Sequence, residues 1–236
     1  MENINTNRHI SGQFNNELEN VRNQVMQMGG LVELQFTNAL HAMAEGDIEL
    51  AKSIIAKDEE VNLFESNVDK ECSRIIAKRQ PTATDLRLIL AIMKCVNELE
   101  RIGDSVAGIA RMMVENKERE PIPSLIGLEN MGQIVLKMIH DSLDAFTRLD
   151  IESAIVVHQQ DKKVNRQYKS LVRELMTYMM EDPRSIPFVL SVLNSAHAIE
   201  RIGDRCQNVC ELVVYLVKGI DVRHATKDEM NALLPN

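Results

Sequence analysis

The pentapeptide ERIGD occurs at residues 100–104 and again, unchanged, at residues 200–204. The similarity extends upstream, where residues 28–62 align with residues 131–165 without a gap. Both of these segments end in the pattern Asp-x-x-Val-Asn. An internal repeat of this length predicts a chain built from two copies of one structural unit.

The composition favours helices around a buried core. Hydrophobic residues make up 44% of the 236 residues and charged residues 26%, a balance typical of folded globular proteins. The chain has ten Gly, six Pro, no Trp and 3% aromatic residues, so turn formers and strand-favouring side chains are scarce. The formal net charge of -8 would repel the phosphate backbone of a nucleic acid, which argues against nucleic-acid binding.

Chain breakers divide each copy into three helices. In the first copy, apolar periodicity starts near residue 10 and breaks at residues 45–47 (EGD) and 80–82 (QPT), which predicts helices ending near residues 44, 79 and 116. In the second copy, we expect helices over residues 124–148, 151–181 and 187–218, with Asp150 and Ser185 as N-cap residues.

Short connections make successive helices antiparallel. The sequence therefore predicts an all-α fold of two tandem, similar up-down-up three-helix bundles with six long helices. The expected domains are a first bundle at residues 1–118, a second at 124–220 and a C-terminal tail at 221–236, with Pro121 and Pro123 between the bundles.

The sequence offers no segment for membrane insertion or export. Residues 1–13 lack the apolar core of a signal peptide, and no run reaches the roughly 18 apolar residues that a membrane span needs. We therefore expect a cytoplasmic protein that reaches a membrane only through its partners.

Each ERIGD motif carries two carboxylates four residues apart, one position beyond the apolar seam of the third helix. Like charges on neighbouring turns destabilise a helix by a few tenths of a kcal/mol, and by more when partly buried, whereas a bound cation would reverse that sign. The glycine within each motif costs about 1 kcal/mol relative to alanine, which indicates a close neighbour or room for a bound group.

The second helices add carboxylates at the same level. Asp58 and Asp161 fall within apolar seams, and Glu65 and Asp69 form another pair four residues apart. Clustered oxygen ligands suit divalent cations such as Mg²⁺, Mn²⁺, Fe²⁺ or Zn²⁺. The predicted metal-binding residues are Asp58, Glu65, Asp69, Glu100, Asp104, Asp161, Glu200 and Asp204.

An ion-pair network is the alternative to a metal. Arg101 and Arg201 stand three residues before the motif aspartates and could neutralise them without any bound ion. The second copy is also the poorer candidate for a metal, because Tyr168 and Val172 replace the carboxylates of Glu65 and Asp69.

Signatures of common enzyme classes are missing from the sequence. It has no P-loop, no GxSxG elbow, no HExxH and no dinucleotide-binding glycine motif, and no histidine follows a glutamate by three positions as di-iron bundle enzymes require. This pattern favours a regulatory adaptor over an enzyme. A carboxylate-metal enzyme acting on phosphate compounds is the alternative.

Partner-binding residues are expected at charged helix ends, where binding residues are often found. The candidates are Asp85, Arg87, Arg148 and Asp150.

The doubled ERIGD and Asp-x-x-Val-Asn patterns, together with IAKRQP at residues 76–81, HISGQF at 9–14 and MTYMME at 176–181, resemble the PhoU family over nearly the whole chain. The resemblance implies a cytoplasmic protein that represses the phosphate-starvation response when phosphate is plentiful. Its implied partners are a sensor histidine kinase and the ATPase subunit of the phosphate ABC transporter, and it implies a homodimer. Some family members are similar in carrying iron or zinc on E/D-x-x-x-D motifs.

Overall fold

The computed structural model describes residues 12–117 and 125–223, together with residues 225, 229, 230 and 232. Six long α-helices make up most of this part, and it contains no strand, so the predicted all-α class is confirmed. The helices are α1 Gly12–Glu45, α2 Ile48–Arg79, α3 Ala83–Glu115, α4 Leu125–Arg148, α5 Ile151–Glu181 and α6 Ile186–Lys218, with a 3₁₀ turn at Pro183–Ser185. No helix in the described ranges combines the length and apolar character that crossing a membrane requires.

Several sequence predictions fall outside the described residues. These are the predicted separators Pro121 and Pro123, the domain boundaries at 118 and 124, residues 1–11 and most of the predicted tail beyond residue 223.

Capping residues start the second helix of each bundle. Asp47 precedes α2 and Asp150 precedes α5, and each carboxylate accepts a hydrogen bond from the backbone N–H three residues on, at 2.9 and 3.1 Å. Ser185 stands at the predicted N-cap position of α6, but its side chain makes no capping bond, because its hydroxyl donates to the backbone oxygen of Asp182 at 2.7 Å. The preceding 3₁₀ turn explains why Ser185 does not cap, because it holds the Ser185 backbone in a helical conformation, whereas a capping residue typically has an extended one.

The two bundles contact each other through their first helices. α1 and α4 run antiparallel, and Arg22 near one end donates to the backbone oxygen of Thr147 at 3.1 Å. A Cβ atom at Gly29 would lie 2.9 Å from a methyl carbon of Leu143, so any larger residue would force that leucine to shift. The equivalent Gly132 of α4 receives a leucine of α1 in the same way.

The third helices form the second contact between the bundles. α3 and α6 run antiparallel, with Arg205 donating to the carboxylate of Glu98 at 3.3 Å and the Arg87 guanidinium 5.9 Å from the Tyr215 ring centre. One continuous cluster of buried apolar side chains therefore runs through both bundles, from Phe36 on α1 to Val213 on α6. This shared core holds α3 and α6 side by side, with both ERIGD motifs near the middle of their contact.

Candidate functional site

The first acidic cluster consists of Asp58, Glu65 and Asp69 on α2 with Glu100 and Asp104 on α3. The Asp58 side chain is 15% exposed. One carboxylate oxygen of Asp58 and one of Asp69 are buried without a hydrogen-bond partner in the described part of the chain. Unsatisfied buried oxygens are costly, so this cluster favours a proton or a cation.

Gly103 brings the two helices of this cluster together. A Cβ atom on Gly103 would lie 3.2 Å from Val61 and 3.5 Å from the Oδ1 atom of Asp58, so the α2 side chains lie directly over the glycine. Burial raises the pKa of Asp58 and the Asp104 carboxylate raises it further, while the guanidinium of Arg111, 3.9 Å away, opposes both. This contact confirms the prediction that the carboxylates of α2 lie beside the ERIGD motif of α3.

The remaining acids of this cluster act on one another. Burial raises the pKa of Glu65, and the charges of Asp69 and Asp104 raise it further. Burial likewise raises the pKa of Glu100, with Asp104 and Glu65 as the next causes. The negative charges of the predicted residues on α2 and α3 therefore raise one another's pKa across the contact between the two helices.

The second acidic cluster consists of Asp161 on α5 with Glu200 and Asp204 on α6. A Cβ atom on Gly203 would lie 3.4 Å from the Oδ1 atom of Asp161, which repeats the packing of the first copy. Asp161 is 5% exposed, that oxygen has no hydrogen-bond partner among the described residues, and Asn165 donates to the other oxygen. Burial raises the pKa of Asp161 to about 6, helped by the charges of Asp204 and Glu200.

Tyr168, which replaces Glu65 in the second copy, lies near a histidine beside the second acidic cluster. His197 lies 3.3 Å from a Glu200 oxygen, and the Tyr168 ring centre lies 6.0 Å from that of His197. Burial raises the pKa of Glu200, with Asp204 as the second cause and His197 opposing them. One of the three carboxylates of the second cluster therefore faces an imidazole.

The ion pairs proposed from sequence within each motif do not form. The side chains of Arg101 and Arg201 make no ion pair or hydrogen bond with any described residue. Their charges still lower the pKa of nearby acids, Arg101 acting on Glu100 and Arg201 on Glu200 and Asp204, while Arg111 approaches Asp58 at 3.9 Å. Arg101 and Arg201 are both exposed, whereas Glu100 and Glu200 are partly buried.

The donor chemistry of the acidic clusters suits a hard cation, because every ligand is a carboxylate and several buried oxygens lack partners. Within the described residues, however, no three His, Cys, Asp or Glu side chains lie close enough together to hold an ion. An ion bound here would need water molecules or a side-chain rotation to complete its coordination.

Two of the predicted partner-binding segments meet at one surface groove of about 340 Å³. Asp85 at the start of α3 lines this groove, together with Thr147 and Leu149, which flank Arg148 at the end of α4. The apolar side chains of Phe146, Leu88 and Leu216 form its floor. Folding thus joins two candidate segments that are far apart in the sequence.

The other candidates at this end of the molecule have local contacts. Arg87 lies over the Tyr215 ring and against Gly219. Arg148 pairs with Asp144 at 3.0 Å, and both are largely exposed. Asp150 caps α5, and its hydrogen bonds to Ser153 lower its pKa.

Sequence reasoning missed a buried ion pair between α1 and α2. Glu17 is 9% exposed, and its two carboxylate oxygens accept hydrogen bonds from Arg79 at 2.8 and 2.9 Å. A second arginine, Arg74, lies 3.5 Å away. The only available signal was a glutamate within the apolar stripe of α1, since the partners are 62 positions apart.

The geometry of two packed, equivalent bundles agrees with comparisons against known proteins. The family model described as the PhoU domain matches the chain twice, over residues 25–113 and residues 128–213. The chain belongs to the PhoU family. Each match falls on one bundle and contains one ERIGD motif, so the PhoU resemblance inferred from the sequence is confirmed.

Individual relatives of the PhoU family align over almost the entire chain. The phosphate-specific transport system accessory protein PhoU of Serratia marcescens is 55% identical over 234 residues, covering 99% of this chain and 96% of that protein. The crystal structure of PhoU from Pseudomonas aeruginosa is 47% identical with a TM-score of 0.85, and the match covers 88% of this chain and 100% of that one.

A more distant structure has the same fold. The phosphate transport system regulatory protein PhoU from Streptococcus pneumoniae is 35% identical with a TM-score of 0.83, over 89% of this chain and 99% of that one.

Proposed function

We propose that this protein is a negative regulator of phosphate-starvation signalling that works as an adaptor in the cytoplasm. It would couple the phosphate ABC transporter to a sensor histidine kinase, and so repress phosphate uptake and the starvation genes when phosphate is sufficient. The observation that carries the proposal is 55% identity, over 99% of this chain, to an accessory protein of phosphate-specific transport.

The groove lined by Asp85, Thr147 and Leu149 is the candidate contact surface of the adaptor. It has an apolar floor with charged side chains at its rim, such as Arg22 and Glu19, and contact surfaces that combine these features bind proteins well. We propose that it receives the kinase or the ATPase subunit of the transporter, and that the protein acts as a homodimer.

Derepression in a deletion strain tests the regulatory role. A strain lacking this protein should express a phosphate-starvation reporter in phosphate-rich medium, and the wild-type chain supplied in trans should restore repression. Normal repression in the deletion strain would refute the proposal.

The groove is tested in the same strain and by pull-down with kinase and ATPase-subunit fragments. Leu149→Asp places a charge on the groove and should abolish repression and capture of at least one fragment. Val156→Asp on the exposed face of α5 is the matched control, because Val156 is 60% exposed and lies outside the groove. Equal behaviour of the two variants would exclude this surface.

For the acidic clusters we propose a divalent cation, bound more tightly by the first cluster than by the second. Elemental analysis should find less metal in a Glu100→Gln/Asp104→Asn variant than in the wild type, and a smaller loss in Glu200→Gln/Asp204→Asn. Equal metal content in all three would refute the site. The same three proteins test the alternative that this protein is a carboxylate-metal enzyme. That alternative requires the wild type to hydrolyse a phosphate ester and the Glu100→Gln/Asp104→Asn variant to lose this activity.

A further inference from the structure

An open groove of about 800 Å³ follows the contact between α3 and α6. Arginines from both helices line it, and we call it the arginine groove. They are Arg101 and Arg111 on α3 with Arg201 and Arg205 on α6. The lining contains two carboxylates, Asp104 and Glu115, so the positive charges outnumber the negative ones.

The positive charges of the arginine groove come together because the motif is duplicated and the two helices that carry it are antiparallel. α3 and α6 are antiparallel, and the contact between Glu98 and Arg205 places the two ERIGD motifs at the same level. Arg101 and Arg201 occupy equivalent positions in the two motifs and line the same groove. Positive charges brought together in this way repel each other, and an anion between them would convert the repulsion into attraction.

The arginines of the groove differ in how far they are already engaged. Arg205 is held by Glu98 at 3.3 Å, and Arg111 is 3.9 Å from Asp58. The guanidinium groups of Arg101 and Arg201 make no ion pair or hydrogen bond within the described part of the chain. Each therefore keeps its full set of N–H donors for a ligand.

A serine of α6 adds a further hydrogen-bond donor to the arginine groove. Ser195 on α6 is 3% exposed and lines the arginine groove, yet its hydroxyl has no hydrogen-bond partner among the described residues. The neighbouring Ser105 and Ser191 differ, because their hydroxyls donate to backbone oxygens of their own helices. The Ser195 hydroxyl is therefore free to donate a hydrogen bond to a ligand in the groove.

We propose that the arginine groove binds a small molecule carrying two linked phosphoryl groups, such as inorganic pyrophosphate or a nucleoside diphosphate. Arg101 and Arg201 each bind one phosphoryl group, since the planar guanidinium matches phosphate oxygens bidentately. A phosphoryl group held bidentately keeps a further oxygen that can accept a hydrogen bond from Ser195. The volume lies in the range of small-molecule sites.

This site does not depend on the regulatory proposal, because it is tested by direct binding to the purified protein. Isothermal titration at about 0.1 M salt should be run with pyrophosphate, ADP, orthophosphate and adenosine. Pyrophosphate and ADP should bind with a Kd at least about tenfold lower than orthophosphate, because only they engage both arginines at once. Adenosine should not bind.

Variants assign the binding to the groove. Arg101→Gln/Arg201→Gln should raise the Kd for pyrophosphate at least about tenfold, and Ser195→Ala should raise it severalfold. Arg101→Lys/Arg201→Lys keeps the charges but loses the planar forks, and should fall between the wild type and the Gln pair. Arg173→Gln, on the exposed face of α5, is the matched control and should bind like the wild type.

Several outcomes would overturn the proposal. These are no measurable binding of pyrophosphate or ADP, equal affinity for orthophosphate, or unchanged binding in the Gln pair. If Arg173→Gln weakened pyrophosphate binding as much as the Gln pair does, the ligand would be attracted only by the overall charge of the protein and not by the groove. Adenosine binding as tightly as ADP would mean recognition of the nucleoside. Should the Gln pair unfold, as judged by circular dichroism, the Lys pair and Ser195→Ala decide the question.

Discussion

Replacing Asp161 by asparagine should stabilise the protein at neutral pH, although the residue lies in the most buried part of an acidic cluster. Asp161 is 5% exposed, and its burial together with Asp204 and Glu200 raises its pKa from 3.8 to about 6. An ionised Asp161 is therefore less favourable in the folded protein than in the unfolded chain. Asparagine has nearly the same shape and can still accept the hydrogen bond from Asn165.

The size and sign of the effect follow from proton linkage. Between pH 3.8 and about 6, the folded protein binds more protons at Asp161 than the unfolded chain does, so the free energy of unfolding falls as the pH rises through this window. Each pKa unit corresponds to 1.36 kcal/mol, which gives a penalty of about 3 kcal/mol in the wild type above this window. Asp161→Asn removes the penalty.

Urea unfolding of both proteins at several pH values, in buffer with a chelator, measures the effect. The free energy of unfolding of Asp161→Asn minus that of the wild type should grow by about 3 kcal/mol from below pH 3.8 to pH 7. Glu59→Gln, on an exposed position of α2, is the control and should change stability by less than about 0.5 kcal/mol at neutral pH. A difference for Asp161→Asn that does not vary with pH would refute the reasoning.

The two motif glycines should respond differently to alanine. Gly203→Ala meets only ordinary contacts at 3.4 Å and beyond, so its better helix propensity should raise the free energy of unfolding by up to about 1 kcal/mol, whereas Gly103→Ala, with Val61 at 3.2 Å, should gain less or lose stability. Urea unfolding of both variants measures this, and an equal gain would contradict it. Glu17→Gln should lower Tm by several degrees at pH 7 because it breaks the hydrogen bonds to Arg79, which also lower the pKa of Glu17. That stabilisation is lost as the pH falls through the lowered pKa, so a Tm difference between Glu17→Gln and the wild type that persists in acid would contradict it.

Local signals in the sequence accounted for the helices. Breakers at residues 45–47 and 80–82 separate helices that the structure ends at Glu45 and Arg79, because a left-handed or extended backbone and a proline cannot continue a helix. The position of Ser185 before α6 was also predicted, but the 3₁₀ turn that directs its hydroxyl away from the helix was not visible in the sequence.

Part of the candidate site was also accessible from the sequence. Helix length and turn position set Asn62 of α2 level with the first ERIGD motif, so the meeting of carboxylates from these two helices was predictable by counting along the chain. The partners of the arginines were not, because a side chain's direction depends on packing. The ion-pair alternative placed Arg101 against Asp104, and the structure shows no such pair.

The sequence by itself determined the duplicated all-α architecture, the helix ends and the rows of carboxylates, because these depend on interactions within a few turns of one helix or between neighbours joined by short loops. Only the tertiary structure decided how the two bundles meet. The contact of α3 with α6 places equivalent arginines in one groove, and the contact of α1 with α4 rests on a leucine entering at Gly29. Such contacts depend on shape complementarity between surfaces distant in the chain, which no local pattern encodes.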